Sequence, residues 1–184
     1  MGLFISGIQL PDQFIFIKST IPEDIYKTKL QNQLFVILYF VILLILISRK
    51  EYYSFFNLSP LKKKSTYVWM VGLLALVLFI QHHPFSLYFL PISAFEYIQL
   101  LIITSILVPI YEELLFRGVL ILVPPEKLRY PMLIMSSVLF ASLHSNFLDA
   151  FILGVALSIL AIRFRNLLVP MVAHSLWNLF ATFY

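Results

Sequence analysis

Long apolar runs broken by short polar clusters dominate the chain. The stretches 30–48, 65–95, 97–111, 130–148 and 166–184 carry no Asp, Glu, Lys or Arg, and 148–164 is interrupted only by Asp149 and Arg163. A helix that crosses a bilayer needs ~20 mostly apolar residues. Only helices and closed barrels satisfy every backbone polar group in lipid, and runs this continuous lack the two-residue alternation of barrel strands. The pattern predicts an all-α membrane protein, a polytopic bundle of about six helices at 31–48, 66–81, 96–122, 130–145, 148–164 and 167–183. Residues 1–184 read as a single membrane domain, with 1–30 an interfacial N-terminal arm and 96–183 the core helices. Pro11, Pro22 and several charges lie among the Ile and Phe of that arm. No cleavable leader is expected, because the first ten residues lack a basic region and charges follow too soon.

Composition narrows the class further. Of 184 residues, 61% are hydrophobic and 12% charged, against roughly 45–50% and about 25% in soluble domains. That excludes a disordered chain, a nucleic-acid partner and most soluble enzymes, and makes membrane lipid the first partner. Cysteine is absent, so there is no disulfide, thiolate metal site or Cys nucleophile. The net charge of +4 matters through its placement. Arg49, Lys50 and Lys62, Lys63, Lys64 fall between the first and second spans, Lys127 and Arg129 between the third and fourth, and Arg163 and Arg165 between the fifth and sixth. The intervening loops 81–95 and 145–149 hold no Lys or Arg. Such a separation predicts a multi-pass protein of the cell membrane with its basic loops cytoplasmic and both termini outward.

Three places inside the apolar runs carry groups that lipid tolerates poorly, at ~2.5–3.5 kcal/mol for a charge at a helix centre. The first is Glu112-Glu113-x-x-x-Arg117. Glu113 and Arg117 share a helix face and can pair, whereas Glu112 lies ~100° further round without a partner in its own helix. Pro109 lacks an N–H and is expected to disturb that helix one turn earlier. The second is Phe140-x-x-x-His144 and the third His174-x-x-x-Asn178, each pair aligned on one face. Singly, each reads as an interfacial charge, a hydrogen-bonded imidazole or interhelical glue. Together they supply a carboxylate base, two imidazoles, an amide and an ion pair on separate helices. That set suffices for water attack on an amide carbonyl, with a Glu as general base and hydrogen-bond donors for the oxyanion. The same groups could instead hold a metal, although the H-E-x-x-H spacing of zinc proteases is missing. His82 and His83 read as loop polarity before Pro84.

In that order and spacing, the three motifs resemble those of the CPBP intramembrane proteases, the CAAX-protease and bacteriocin-processing (Abi) family that includes type II CAAX prenyl endopeptidases. The resemblance covers about 97–183. It implies a glutamate-dependent endopeptidase without cofactor or metal, acting on a membrane-associated, prenylated or bacteriocin-like peptide. In that reading Glu112 activates the water with help from His144, Glu113 supports the site beside Arg117, and His174 and Asn178 stabilise the oxyanion. The short chain suggests a bacterial-type member in a bacterial plasma membrane. A non-enzymatic bacteriocin-immunity protein and a metal-dependent variant of the protease are the alternatives. A transporter is a third, though the paired, interrupted spans expected in both of its halves are missing. Counting ~1.5 Å per residue from the basic loops puts Glu112 and His174 near one depth and His144 up to ~10 Å further outward.

Overall fold

The computed structural model describes residues 23–48, 51–82, 87 and 89–183, with side chains from Lys29 onward. The first part of the expected arm (1–22), together with Arg49, Lys50 and His83, lies outside the described residues. Among the described residues seven helices follow one another, short 3₁₀ turns aside. They are α1 (Glu23–Ser48), the short α2 (Tyr52–Phe55), α3 (Lys64–Gln81), α4 (Ala94–Leu122), α5 (Arg129–Ser142), α6 (Phe147–Phe164) and α7 (Leu168–Phe183). No strand occurs among the described residues. The all-α membrane bundle expected from the apolar runs is the fold observed. Helix α1 begins at Glu23, so the first long helix extends back through residues 23–30 of the expected arm, ahead of the apolar span Lys29–Ser48.

Among the described residues four helices are long and apolar enough to cross a bilayer, namely Lys29–Ser48, Lys64–Gln81, Ala94–Leu122 and Phe147–Phe164. Helix α7 is apolar but shorter, at 16 residues. Helix α5, with 14 residues, rises about 21 Å. It stops at Ser142, two residues before His144, which sits in the turn that leads to α6.

The central element is α4. Half of its apolar window is buried (50%), against 6% for the window in α1, which lies against the outside of α4. One side of α4 places Phe116 in a core with Met70 and Val77 of α3, Phe140 of α5, Leu157 and Leu160 of α6 and Ala173 of α7. Its other side places Leu114 and Leu122 against Leu44 of α1, Phe55 of α2 and Met171 of α7. Helices α5 and α6 pack closely because Gly154 has no side chain. A Cβ there would lie 3.3 Å from Ser137 Cα and from Phe140 Cδ1. Small residues at a contact let membrane helices approach, where packing and hydrogen bonds hold helices together.

Helix α4 is not uniform. It widens into π turns at Ile103–Leu107 and again at Leu114–Leu122, with an α-helical turn, Val108–Glu113, between them. The disturbance expected at Pro109 takes this form. Because proline cannot donate to the ladder, the turn before it relaxes to a wider register. Ser136 of α5 donates to Phe116 O at 2.7 Å, satisfying a carbonyl in the second wide segment.

At one end of the bundle the basic loops are tied together. Glu126 pairs with Arg129 and, at 3.2 Å, with Arg165. Asn166 donates to Asn57 O at 2.8 Å, and Leu167 N–H to Phe55 O at 2.8 Å. Arg163 lies over the Trp69 ring at 5.8 Å. The loops that separated by charge in the sequence thus share one end. At the other end, Gln81 of α3 donates to Asp149 O of α6 at 3.2 Å.

Candidate active site

Glu112 and Glu113 leave the middle α-helical turn of α4 and Arg117 the wide segment after it, and the three meet α5, α6 and α7 in the interior. Glu113 and Arg117 pair as their spacing predicts: Arg117 Nη1 donates to Glu113 Oε1 at 2.9 Å, and both side chains are fully buried. Arg117 Nη2 donates to Gly154 O of α6 at 3.0 Å, and its guanidinium carbon lies 4.7 Å from the centre of the Phe140 ring. The arginine therefore ties α4 to α5 and α6 at once. A buried ion pair of this kind survives desolvation only when further hydrogen bonds share the charge.

His174 enters from α7, almost completely buried. Its Nδ1 lies 2.9 Å from Glu113 Oε1. An ionised carboxylate only accepts, so Nδ1–H is the donor and the ring is held in a fixed orientation. Nε2 then faces Glu112 Oε2 at 3.7 Å. Glu112 is buried like its neighbour, and its Oε2 finds no hydrogen-bond partner. Glu113 Oε2 and Arg117 Nε are unpaired as well, so the cluster concentrates buried polar atoms without partners, which folded interiors otherwise avoid.

His144 reaches the cluster through Phe140. Its Nδ1 is 2.8 Å from Phe140 O, a carbonyl that can only accept, so Nδ1 carries the proton and Nε2 of the neutral ring is an acceptor. The Phe140 ring packs against both imidazoles, with centroids 4.3 Å from His144 and 5.7 Å from His174. The difference in depth counted along the sequence is thus bridged by one aromatic side chain. Asn178, one turn beyond His174, also points to α4, but its Nδ2 donates to Thr104 O at 2.9 Å. His82 is exposed at the end of α3, within reach of its own Ile80 O, and takes no part.

The structure therefore gathers Glu112, Glu113, Arg117 and His174 by direct contact and His144 by way of Phe140, while Asn178 is held against an earlier turn of α4. Two contributors were not read from the sequence. One is the Gly154 carbonyl, for which the small pair Gly154-x-x-x-Ser158 within an apolar run was the available signal. The other is Thr104, which carries no signal apart from its distance to Pro109. Among the described residues no group of three His, Asp or Glu side chains is disposed to hold one metal ion. Glu113 and His174 turn their near atoms toward each other instead.

Fold and site together define a polytopic helical membrane protein with a carboxylate–imidazole cluster sealed between its helices. Residues 94–180, which carry all three motifs, match the family described as Rce1-like, type II CAAX prenyl endopeptidase Rce1-like. At the family level the match supports a CAAX-type intramembrane protease. Among curated proteins and among solved structures nothing matches the chain.

Proposed function

We propose that the protein is an intramembrane endopeptidase in which Glu112 and His144 activate a water molecule and His174 stabilises the oxyanion. The observation that carries the reading is the unpartnered Glu112 Oε2, buried beside His174 Nε2. A water donating one hydrogen to Glu112 and the other to His144 Nε2 keeps a lone pair for the scissile carbonyl. As water attacks, its proton passes to the Glu112 carboxylate and the carbonyl oxygen becomes an oxyanion. His174, as imidazolium, donates from Nε2–H to that oxygen. With His174 in this form, two carboxylates stand against one guanidinium and one imidazolium, and the buried cluster is neutral. Glu112 then returns the proton to the leaving amine, which closes the cycle without a covalent intermediate.

Glu113 and Arg117 position this set. Glu113 fixes His174, and Arg117 fixes Glu113 against α6. The substrate in this reading is a membrane-associated peptide, prenylated or bacteriocin-like, cleaved from the basic, cytoplasmic side of a bacterial plasma membrane. Hydrolysis of a fluorogenic prenylated peptide by purified, reconstituted protein tests the proposal. Glu112→Gln is expected to lose ~10²–10⁴-fold in turnover, the usual cost of removing a general base. Unchanged turnover in that variant rules out the glutamate mechanism. Inhibition of the parent by a chelator, reversed by added metal, replaces it with the metal-dependent variant. A parent without hydrolysis whose Glu112→Gln variant still protects cells from a bacteriocin indicates an immunity protein that works by binding.

A further inference from the structure

Ser136 donates away from its own helix. A serine within a helix commonly bonds the carbonyl four residues back. Ser137 does so to Leu133 O at 2.8 Å, and Ser158 to Gly154 O at 2.7 Å. Ser136, fully buried, instead reaches Phe116 O of α4 at 2.7 Å. Phe116 precedes Arg117 in the wide segment that follows the two glutamates. On α5, Ser136 and Phe140 share a face, and His144 follows four residues on. The hydrogen bonds of His144 stay with α5: its Nδ1 meets Phe140 O at 2.8 Å and its backbone N–H meets Ala141 O at 3.0 Å, while its ring packs on that of Phe140. Its placement against Glu112 of α4 therefore depends on how α5 sits along α4. Lipid does not set that register, since acyl chains are as apolar as the flank of α5 that they touch. Phe140 meets Phe116 edge-on at 5.4 Å and Arg117 at 4.7 Å. Ring contacts of this kind keep their attraction over a range of offsets, whereas a hydrogen bond weakens steeply once its geometry departs from the optimum.

We propose that Ser136 is a positioning residue: by donating to Phe116 O it pins the register of α5 on α4 and so sets the separation of His144 from Glu112. A slip of one residue carries His144 ~1.5 Å along the helix axis and ~100° around it. Either displacement is large for a water that must meet two acceptors at hydrogen-bond range. Ser136 acts through the Phe116 backbone and its own helix, about two turns from the imidazole. The proposal rests on the reading of Glu112 and His144 as the pair that activates water.

The test uses the full-length, reconstituted protein and the fluorogenic prenylated peptide. Ser136→Ala removes the hydroxyl with little change of volume. It should lower kcat by about 10²-fold with little change in KM, the scale of a ~1 Å misplacement, while the protein melts close to the parent. In a His144→Ala background the same substitution should have no further effect, because the group it positions is already gone. Equal losses in both backgrounds, or an unchanged kcat, overturn the proposal. So does a lower melting temperature with kcat intact, which would leave Ser136 as a bond between helices and nothing more. The register can also be read without chemistry. The chain has no Cys, so Ile106→Cys on α4 and Ile134→Cys on α5, both exposed positions, can carry a pair of spin labels. Their distance distribution should shift or broaden in Ser136→Ala; an unchanged distribution overturns the pin. If Ser136→Ala fails to accumulate, Ser136→Cys, a weaker donor, should lose kcat in the same direction to a smaller extent, and parental kcat there overturns the proposal. A parent that shows the change in distance yet cleaves nothing sinks the enzyme reading and leaves the pin standing.

Discussion

His174 Nδ1 lies 2.9 Å from Glu113 Oε1, the same oxygen that accepts from Arg117 Nη1 at 2.9 Å. One carboxylate oxygen thus orients a ring from α7 and neutralises a cation on its own helix. This division of labour separates the two adjacent glutamates. Glu113 spends its Oε1 on two neighbours and leaves its Oε2 without one, whereas the unpartnered Oε2 of Glu112 lies 3.7 Å from His174 Nε2.

Glu113→Gln is accordingly expected to act first on stability. It strands the buried Arg117 guanidinium, which typically costs about 3–5 kcal/mol. A lower melting temperature and reduced accumulation in the membrane are the readouts. Replacing the pair together, as Glu113→Leu with Arg117→Met, should recover melting toward the parent, since an apolar pair of similar volume often costs nothing. Hydrolysis should stay low in that double variant, because His174 has lost its anchor. Recovery of activity along with stability would show that Glu113 does not orient His174.

His144→Ala should behave in the opposite way. The ring is only partly buried and hangs on Phe140 O, so melting should change by no more than about 0.5 kcal/mol, as at other sites outside a packed core. Turnover should fall by ~10²–10⁴-fold if Nε2 holds the water. A large loss of stability with proportionate activity would return His144 to a structural role.

Two glycines separate by what a methyl group would meet. At Gly154 the obstacles are Ser137 Cα, which is backbone, and the buried Phe140 ring, both at 3.3 Å. Gly154→Ala should push α6 from α5, loosen the Arg117 bond to residue 154, and cost about 1–3 kcal/mol. At Gly118 the nearest atoms are the ends of the Leu44 side chain at 3.1 and 3.3 Å, on the peripheral α1. Gly118→Ala should be tolerated, helped by the better helix propensity of alanine. Melting curves of the two variants decide the comparison.

Reporter fusions test orientation. One inserted at Lys62–Lys64 should report as cytoplasmic and one after Tyr184 as external, following the Lys and Arg distribution. Glu126 joins the loops of Arg129 and Arg165, so a third reporter beside Lys127 should agree with the first. The reverse pattern would invert the proposed side of substrate entry.

Much of this architecture was legible because a bilayer enforces it. Charge-free runs had to be helices, and ionisable groups within them had to meet one another. The Glu113–Arg117 pair followed from spacing alone. What stayed hidden depends on the path of the backbone. The wide turns of α4 leave no mark beyond Pro109, and so the bond from Asn178 to Thr104 O was hidden as well. Gly154 was passed over for a related reason: its contribution to the site is a main-chain oxygen, which every residue has. The link from His144 to the cluster was hidden because counting by rise leaves out a side chain as large as that of Phe140, whose ring meets both imidazoles.

The shortness of α5 has a consequence for the lipids around it. Its outward side exposes Tyr130, Ile134 and Val138, and the helix presents a height of about 21 Å to a hydrocarbon layer ~30 Å thick. Acyl chains bordering that helix have to compress or tilt, at a cost of fractions of a kcal/mol per Å of mismatch. The protein is therefore matched to a thin bilayer on that flank. In vesicles of graded acyl-chain length its melting temperature should be higher in the shorter-chain lipids and fall as the chains lengthen.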